Sequence, residues 1–162
     1  MKRWVFVLLL AGLAAFSFAA PAEEIPQEKL DSVKESFNNR TSELPGWLNP
    51  LIGKQRINTY IVSSADLEAV QQDKDANITP VMTLGVEMSG KTMERLRDGA
   101  LSDPTIEVWV SRNDLKEAAE SDTPVKTLRS KVQSGEIVYR VHGFINRLRI
   151  EILRKALDAV GG

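Results

Sequence analysis

Residues 85–92 (GVEMSGKT) match the pattern G-x-x-x-x-G-K-[ST] of a phosphate-binding P-loop. In that loop the backbone amides surround the phosphates, the lysine reaches the β and γ phosphates, and the hydroxyl residue binds Mg²⁺. Here the residues between the glycines continue a strand pattern, Glu87 would repel phosphate, and the later strand 106–110 leads into Ser111 rather than an Asp. We therefore predict a β-hairpin with its tip at residues 89–91, and not a nucleotide site.

The other chemistry-bearing residues are sparse. The chain has one histidine, His142, and no cysteine, which excludes thiolate chemistry, disulfides and a zinc site built from several His or Cys ligands. A Ser-His-Asp triad needs only one His, but no G-x-S-x-G elbow is present. The carboxylates at 73/75 and 117/120/122 lack the spacing of a calcium loop. We predict a structural or surface role for His142, no metal, no cofactor and no catalytic residue.

Arg149 is the first candidate for ligand binding. The final helix, predicted at about residues 144–160, has a broad apolar arc, and Arg149 falls in its middle. A buried charge must be paired, extend to solvent or meet a ligand, so two interpretations stay open. Arg149 is either a paired or solvent-reaching side chain, or an anchor for an anionic head group at the mouth of an apolar pocket. The arc consists of Ile145, Leu148, Ile152, Leu153, Ala156, Leu157 and Val160.

Three aromatic residues complete the candidates. Trp47 lies in an apolar segment, and we consider it as a lid, as a tip that touches a membrane, or as an ordinary core residue. Phe144 begins the final helix and is the third predicted ligand-binding residue. Trp109 lies within an apolar strand and is predicted to belong to the core.

The N-terminus predicts export. Lys2 and Arg3 precede an apolar run over residues 4–18 and small residues at 19 and 20, the pattern of a secretory signal peptide. We expect cleavage after Ala19 or Ala22. The alternative is an uncleaved anchor, because residues 4–20 reach the short limit of about 17 residues for a spanning helix. The protein is thus expected to be extracytoplasmic, that is secreted, periplasmic or at the cell surface.

The remaining chain predicts one α+β domain. A formal charge of −1 for the whole sequence argues against nucleic-acid binding, which usually accompanies a basic excess. We expect a signal peptide or anchor at 1–19, an N-terminal helix and apolar loop at 20–54, and a single α+β domain at 55–162.

Helices are expected at about 27–38, 112–120, 124–134 and 144–160. Strands are expected at about 55–62, 80–88, 105–110 and 136–142. Residues 91–97 fit a strand or a helical turn, 64–79 are ambiguous, and 44–53 are expected to be irregular because prolines and glycines interrupt them.

The stretch from residue 103 onward has a characteristic order of elements. An alternating strand (DPTIEVWVS, 103–111) leads into a Ser-capped helix that contains Asp114 and Leu115. A second helix ends at Gly135, and a strand, a glycine and a terminal helix follow. This order resembles the sterol-carrier-protein-2 superfamily, over about residues 55–160. The resemblance implies a mainly antiparallel sheet of about five strands backed by helices, with the C-terminal helix packed on it. It also implies an apolar tunnel for hydrophobic ligands and no catalytic residues. Expected export and Arg149 both depart from the family pattern.

The sequence therefore favours an exported, non-enzymatic domain that binds a lipid or another hydrophobic small molecule. The alternative is a cell-surface structural or protein-interaction module, for which a homodimer is possible. A nucleotide enzyme rests on residues 85–92 alone. We expect no nucleic-acid partner, and membrane contact only through an uncleaved N-terminal segment.

Overall fold

A five-stranded sheet organises the part of the chain that the structure describes. The structure, a computed structural model, describes residues 25–42, 46, 48–73, 75–143, 146–148 and 151–152. The strands are β1 (Lys54–Val62), β2 (Met82–Ser89), β3 (Thr92–Asp98), β4 (Ile106–Ser111) and β5 (Val138–Val141). The helices are α1 (Gln27–Ser42), α2 (Leu48–Ile52), α3 (Ser64–Gln72), α4 (Arg112–Glu120) and α5 (Pro124–Ser134).

The sheet is mixed but mostly antiparallel. Its strand order is β3-β2-β1-β4-β5, and among these neighbours only the central β1 and β4 run parallel. The predictions of an α+β fold and of about five mainly antiparallel strands are confirmed. The packing of the terminal helix on the sheet stays a prediction, because only residues 146–148 and 151–152 of that helix are described.

The main core lies on one face of the sheet, under α1, α4 and α5. The predicted stripe of α1 is confirmed, since Leu30, Val33 and Phe37 are all buried there. The amide of Asn38 also donates to Met93 O at 3.0 Å and accepts from Met93 N at 2.7 Å, so α1 is joined to the backbone of the edge strand β3. These bonds satisfy backbone N–H and C=O groups at the sheet edge, which could otherwise pair with a strand of another molecule.

The opposite face of β1 is covered as well. Helix α3, in the segment that the sequence left ambiguous, begins after Ser63, whose hydroxyl accepts from Asp66 N at 3.1 Å. Its Leu67 and Val70 pack on a second apolar cluster that includes Trp109. Further along the face, Asn58 exchanges hydrogen bonds of 3.0 and 2.8 Å with the backbone of Leu101. The central strand is therefore buried on both sides.

The local signals around α4 and α5 are confirmed. Helix α4 begins after Ser111, whose hydroxyl accepts from Asp114 N at 3.0 Å, and α5 ends at Gly135 with a φ of 84°. The prediction of an irregular segment at 44–53 is wrong over residues 48–52, which form α2. Pro50 lies in the first turn of α2, where a missing N–H breaks no helical hydrogen bond. No helix in the described ranges has the length and apolar character to cross a membrane.

Candidate functional site

The three predicted ligand-binding residues, Trp47, Phe144 and Arg149, lie outside the described residues. On the terminal helix, the described apolar residues are Leu148 and Ile152. The two side chains are 50% and 46% exposed, and they belong to residues one helical turn apart, which share a helix face. We call this pair the terminal strip. It presents apolar surface to solvent at two positions of the arc in which the sequence places Arg149.

The described start of the terminal helix is tied to the end of the sheet. Arg147 N donates to Gly143 O at 3.1 Å, and Arg147 Nε donates to Val141 O at 3.2 Å. The Asn146 amide donates to His142 O at 3.1 Å. These bonds fix the direction in which the helix leaves β5, and with it the side on which the terminal strip lies.

His142 takes part in a carboxylate-centred network on the sheet. Its Nε2 lies 2.6 Å from Glu107 Oε2, and the Tyr60 hydroxyl donates to Glu107 Oε1 at 3.0 Å. Burial raises the pKa of the Tyr60 phenol above its ordinary value. The Asn58 amide works against that rise, and the bond to Glu107 adds to it. Within the described part, the His142 ring bonds to a carboxylate and to no hydroxyl that could serve as a nucleophile. His142 is exposed, in accord with its predicted surface position.

Trp109 is a core residue, as predicted. It is 7% exposed, and its ring stacks on Tyr60 with a centroid distance of 5.1 Å. The guanidinium carbon of Arg140 lies 4.5 Å from the centroid of the Trp109 ring, within the range of a cation–π contact. The network on this face is thus held by packing as well as by hydrogen bonds.

Residues 85–92 form the predicted hairpin. Ser89 pairs with Thr92, so Gly90 and Lys91 make a two-residue turn, and Thr92 begins a strand where a P-loop would begin a helix. Lys91 Nζ donates to Ser42 O at 2.7 Å, which places the ammonium at the C-terminus of α1. A Cβ on Gly90, where φ is 56°, would lie 2.5 Å from Asn49 Oδ1. The motif residues are therefore explained by turn geometry and helix contacts.

A buried lysine is the feature that sequence reasoning missed. The side chain of Lys131 is 9% exposed, and its Nζ lies 2.8 Å from Asp114, 2.7 Å from Glu117 and 3.0 Å from Glu136. Burial by itself would lower the pKa of Lys131, but its bonds to the three carboxylates raise it above the ordinary value. The pKa of Glu136 is lowered by the Ser134 hydroxyl first and by Lys131 second. The one sequence signal was that Lys131 lies three residues after Leu128, on the buried side of α5.

This lysine cluster borders a surface depression of about 390 Å³. Its lining is polar and includes Thr123, Lys126 and Ser130. The ammonium of Lys131 already has a carboxylate for each of its three protons, so it adds no unpaired charge to the depression. Across the described residues, no group of three or more potential ligands is arranged to hold a metal ion.

A scan against protein-family models and a search of curated proteins found no match to this chain. The resemblance to sterol-carrier domains therefore stays a prediction.

Proposed function

We propose that this chain is an exported, non-enzymatic domain that binds a lipid or another hydrophobic small molecule through its terminal helix. The observation that carries the proposal is the exposure of the terminal strip, Leu148 and Ile152, on either side of Arg149 in the sequence. Full burial of an exposed aliphatic side chain gains about 1.5–3 kcal/mol. Because Leu148 and Ile152 are already half-buried, completing the burial of each would gain roughly half of that. An apolar ligand seated on the strip would supply that burial.

The chemistry of the ligand follows from Arg149, which lies between Leu148 and Ile152 in the sequence. A guanidinium binds carboxylates and phosphates in a bidentate manner, whereas the strip favours an alkyl chain or a ring system. The matching ligand is an amphiphile with an anionic head group and an apolar tail. Trp47 and Phe144 are proposed to contribute aromatic surface to the same site.

The described charged groups support the non-enzymatic part of the proposal. Lys91 caps a helix end, Lys131 is held by three carboxylates, and His142 contacts Glu107. Each of these groups has a structural partner.

Native mass spectrometry of the protein as its host processes it, purified without detergent, tests the proposal. We expect a mass excess that dissociates as one amphiphile. We expect that excess to be lost in Arg149→Met and in the double variant Leu148→Ser/Ile152→Ser. Val81→Ser, which removes another exposed aliphatic side chain, should retain it. A bare mass for the natural sequence would overturn the proposal. Binding that survives in Arg149→Met would show that Arg149 is not the anchor.

A protein-interaction module is the second candidate. The same exposure favours it, because an apolar strip open to solvent suits a partner surface as well as a small ligand. Light scattering of the purified protein separates the two. A dimer that Leu148→Ser/Ile152→Ser converts to a monomer, without any bound amphiphile, would replace the ligand-binding proposal with a docking role.

A further inference from the structure

We propose that the outer edge of β3 is a latent self-association surface, which Asn38 closes by taking the place of a neighbouring strand. The partner that fits this edge, once the amide of Asn38 is removed, is a second copy of the chain. The inference does not rest on the proposed function, and it involves neither the terminal helix nor a ligand.

The direction of the backbone groups along β3 defines this edge. In the described part of the chain β3 is an end strand of the sheet, with β2 as its neighbour. Just after β3, Gly99 N donates to Thr83 O at 2.8 Å, toward β2. Because backbone groups alternate in direction along an antiparallel strand, those of Asp98 and Leu96 face away from β2. A row of outward N–H and C=O groups is the feature to which a strand of another molecule can add.

Asn38 covers the same edge at Met93. Its amide donates to Met93 O at 3.0 Å and accepts from Met93 N at 2.7 Å, so one side chain bonds both backbone groups of one residue. A strand residue in an antiparallel pair exchanges the same two bonds with the residue opposite. Asn38 is held in place because Val33 and Phe37, on the same helix, are buried in the main core. A helix side chain therefore makes the contacts of a strand.

Two further features of β3 oppose strand addition. The register of the β2–β3 pairing shifts between Glu87 and Met88, and three exposed charged side chains, Glu94, Arg95 and Arg97, lie on the edge strand. Irregular pairing and charged side chains are common on sheet edges that do not associate. An antiparallel pair of two β3 edges would also bring the arginines of the two copies together, and like charges across strands are destabilising.

The other end of the sheet carries a similar contact. On β5, His142 N donates to Thr105 O at 2.8 Å, toward β4, so the backbone groups of Val141 face outward. Arg147 Nε donates to Val141 O at 3.2 Å. Each end strand is thus bonded on its outer side by a side chain from a helix. Of the two contacts, only that of Asn38 satisfies a donor and an acceptor together.

A second copy of the chain is the partner that fits an opened β3 edge. Strand addition uses backbone groups, which do not depend on a particular side-chain sequence. Every copy carries the same edge, and two identical edges that pair in antiparallel fashion are related by a two-fold axis, which closes the assembly at a dimer.

Asn38→Leu in the full chain tests the inference, because leucine has the branched shape of asparagine but no hydrogen-bonding group. We expect the Met93 amide to exchange with deuterium at least about tenfold faster in dilute protein, since its acceptor is lost. As the protein concentration rises, we expect light scattering to show a dimer and the Met93 amide to become protected again. Asn39→Leu, at the adjacent exposed position of α1, is the matched control and should behave as the natural sequence does.

Two more variants separate an opened edge from a general loss of stability. Val33→Ala weakens the packing of α1 without removing the amide of Asn38, and it should not dimerise. Asn38→Asp keeps the bond from Met93 N and loses the bond to Met93 O, so it should give a smaller effect in the same direction if Asn38→Leu folds poorly.

Three results would overturn the inference. The first is a Met93 amide that stays protected in dilute Asn38→Leu, and the second is a variant that associates no more than Asn39→Leu at any concentration. The third is association that leaves the Met93 amide exposed, or that Val33→Ala shows to the same extent, because the contact would then lie elsewhere. None of these results bears on the binding of an amphiphile.

Discussion

The α4–α5 corner and the terminal helix each place side chains where their chemistry is unusual. At the corner a charged residue, Lys131, is buried; on the helix two apolar residues, Leu148 and Ile152, are exposed. The buried charge of Lys131 is compensated within the fold, because three carboxylates surround the ammonium. The helix shows no such compensation among its described residues. A buried charge with carboxylate partners is accounted for within the fold, whereas apolar side chains that stay exposed point to a partner outside it.

The largest expected effect comes from Lys131→Met, which would leave the carboxylates of Asp114, Glu117 and Glu136 without their shared cation. We expect a loss of about 2–3 kcal/mol in the free energy of unfolding, below the value for a wholly buried pair because two of the carboxylates reach water. Urea unfolding measures it, with Lys126→Met on the same helix as the control. Equal losses in both variants would show that the cluster adds nothing specific.

Thr59→Val tests a third unusual placement, a buried hydroxyl without a described hydrogen-bond partner. Thr59 is fully buried between Leu84 and Val108, and its hydroxyl lacks a hydrogen-bond partner among the described residues. Because an unsatisfied buried hydroxyl is costly, we expect the variant to gain about 1 kcal/mol in the free energy of unfolding. Thermal and urea unfolding should agree on the sign. A loss of stability would imply that the hydroxyl is satisfied after all.

The pH dependence of stability should reflect the carboxylates of the α4–α5 corner. Since the pKa of Glu136 is lowered in the folded state, its contribution is present above the ordinary value of 4.5 and is lost as pH falls through the folded pKa. We expect Glu136→Gln to lose less stability than the natural sequence when the pH is lowered from about 5 to about 3. Urea unfolding at each pH measures the difference. Glu120→Gln, at the exposed ion pair with Lys116, is the matched control for removing a carboxylate. An unchanged slope in Glu136→Gln would contradict the assignment.

The smallest stability effect is expected at the terminal strip. Leu148→Ser/Ile152→Ser should change the free energy of unfolding by less than about 0.5 kcal/mol per site, because half-exposed side chains contribute little to the core. The same double variant should nonetheless abolish binding in the experiments above. A loss of several kcal/mol by thermal unfolding would instead mean that the strip is part of the core, and the contrast with the corner would fail.

Signals carried within a few residues predicted their elements well. Ser111 and Gly135 bound α4 and α5 correctly, because a cap depends on its own turn. Residues 48–52 were misjudged because proline was weighed as a helix breaker without regard to its position in a first turn. The region of helix α3 stayed ambiguous in the sequence because residues 64–72 carry only two buried apolar side chains.

Contacts between segments that are distant in the sequence could not be predicted in this way. Asp114, Glu117, Lys131 and Glu136 meet only when α4 packs on α5 and the chain turns toward β5, so no local spacing announces the cluster. Likewise Glu107 and His142 are 35 residues apart and meet through the β4–β5 pairing. Arg149 was singled out from helical periodicity alone, and it stays a prediction.

The parallel pair at the centre of the sheet has a consequence for how the chain acquires its structure. Ile57 on β1 lies opposite Ile106 on β4, and β2 and β3 are inserted between them along the chain. The β2–β3 hairpin needs only a two-residue turn. The inner edge of β1, by contrast, pairs with a strand some fifty residues away, and closing a loop of that length costs more conformational entropy. A chain interrupted before β4 has been made would expose that edge, rich in β-branched residues, to other molecules. The assembly of the sheet is therefore a late event in synthesis, and it is completed from the C-terminal half.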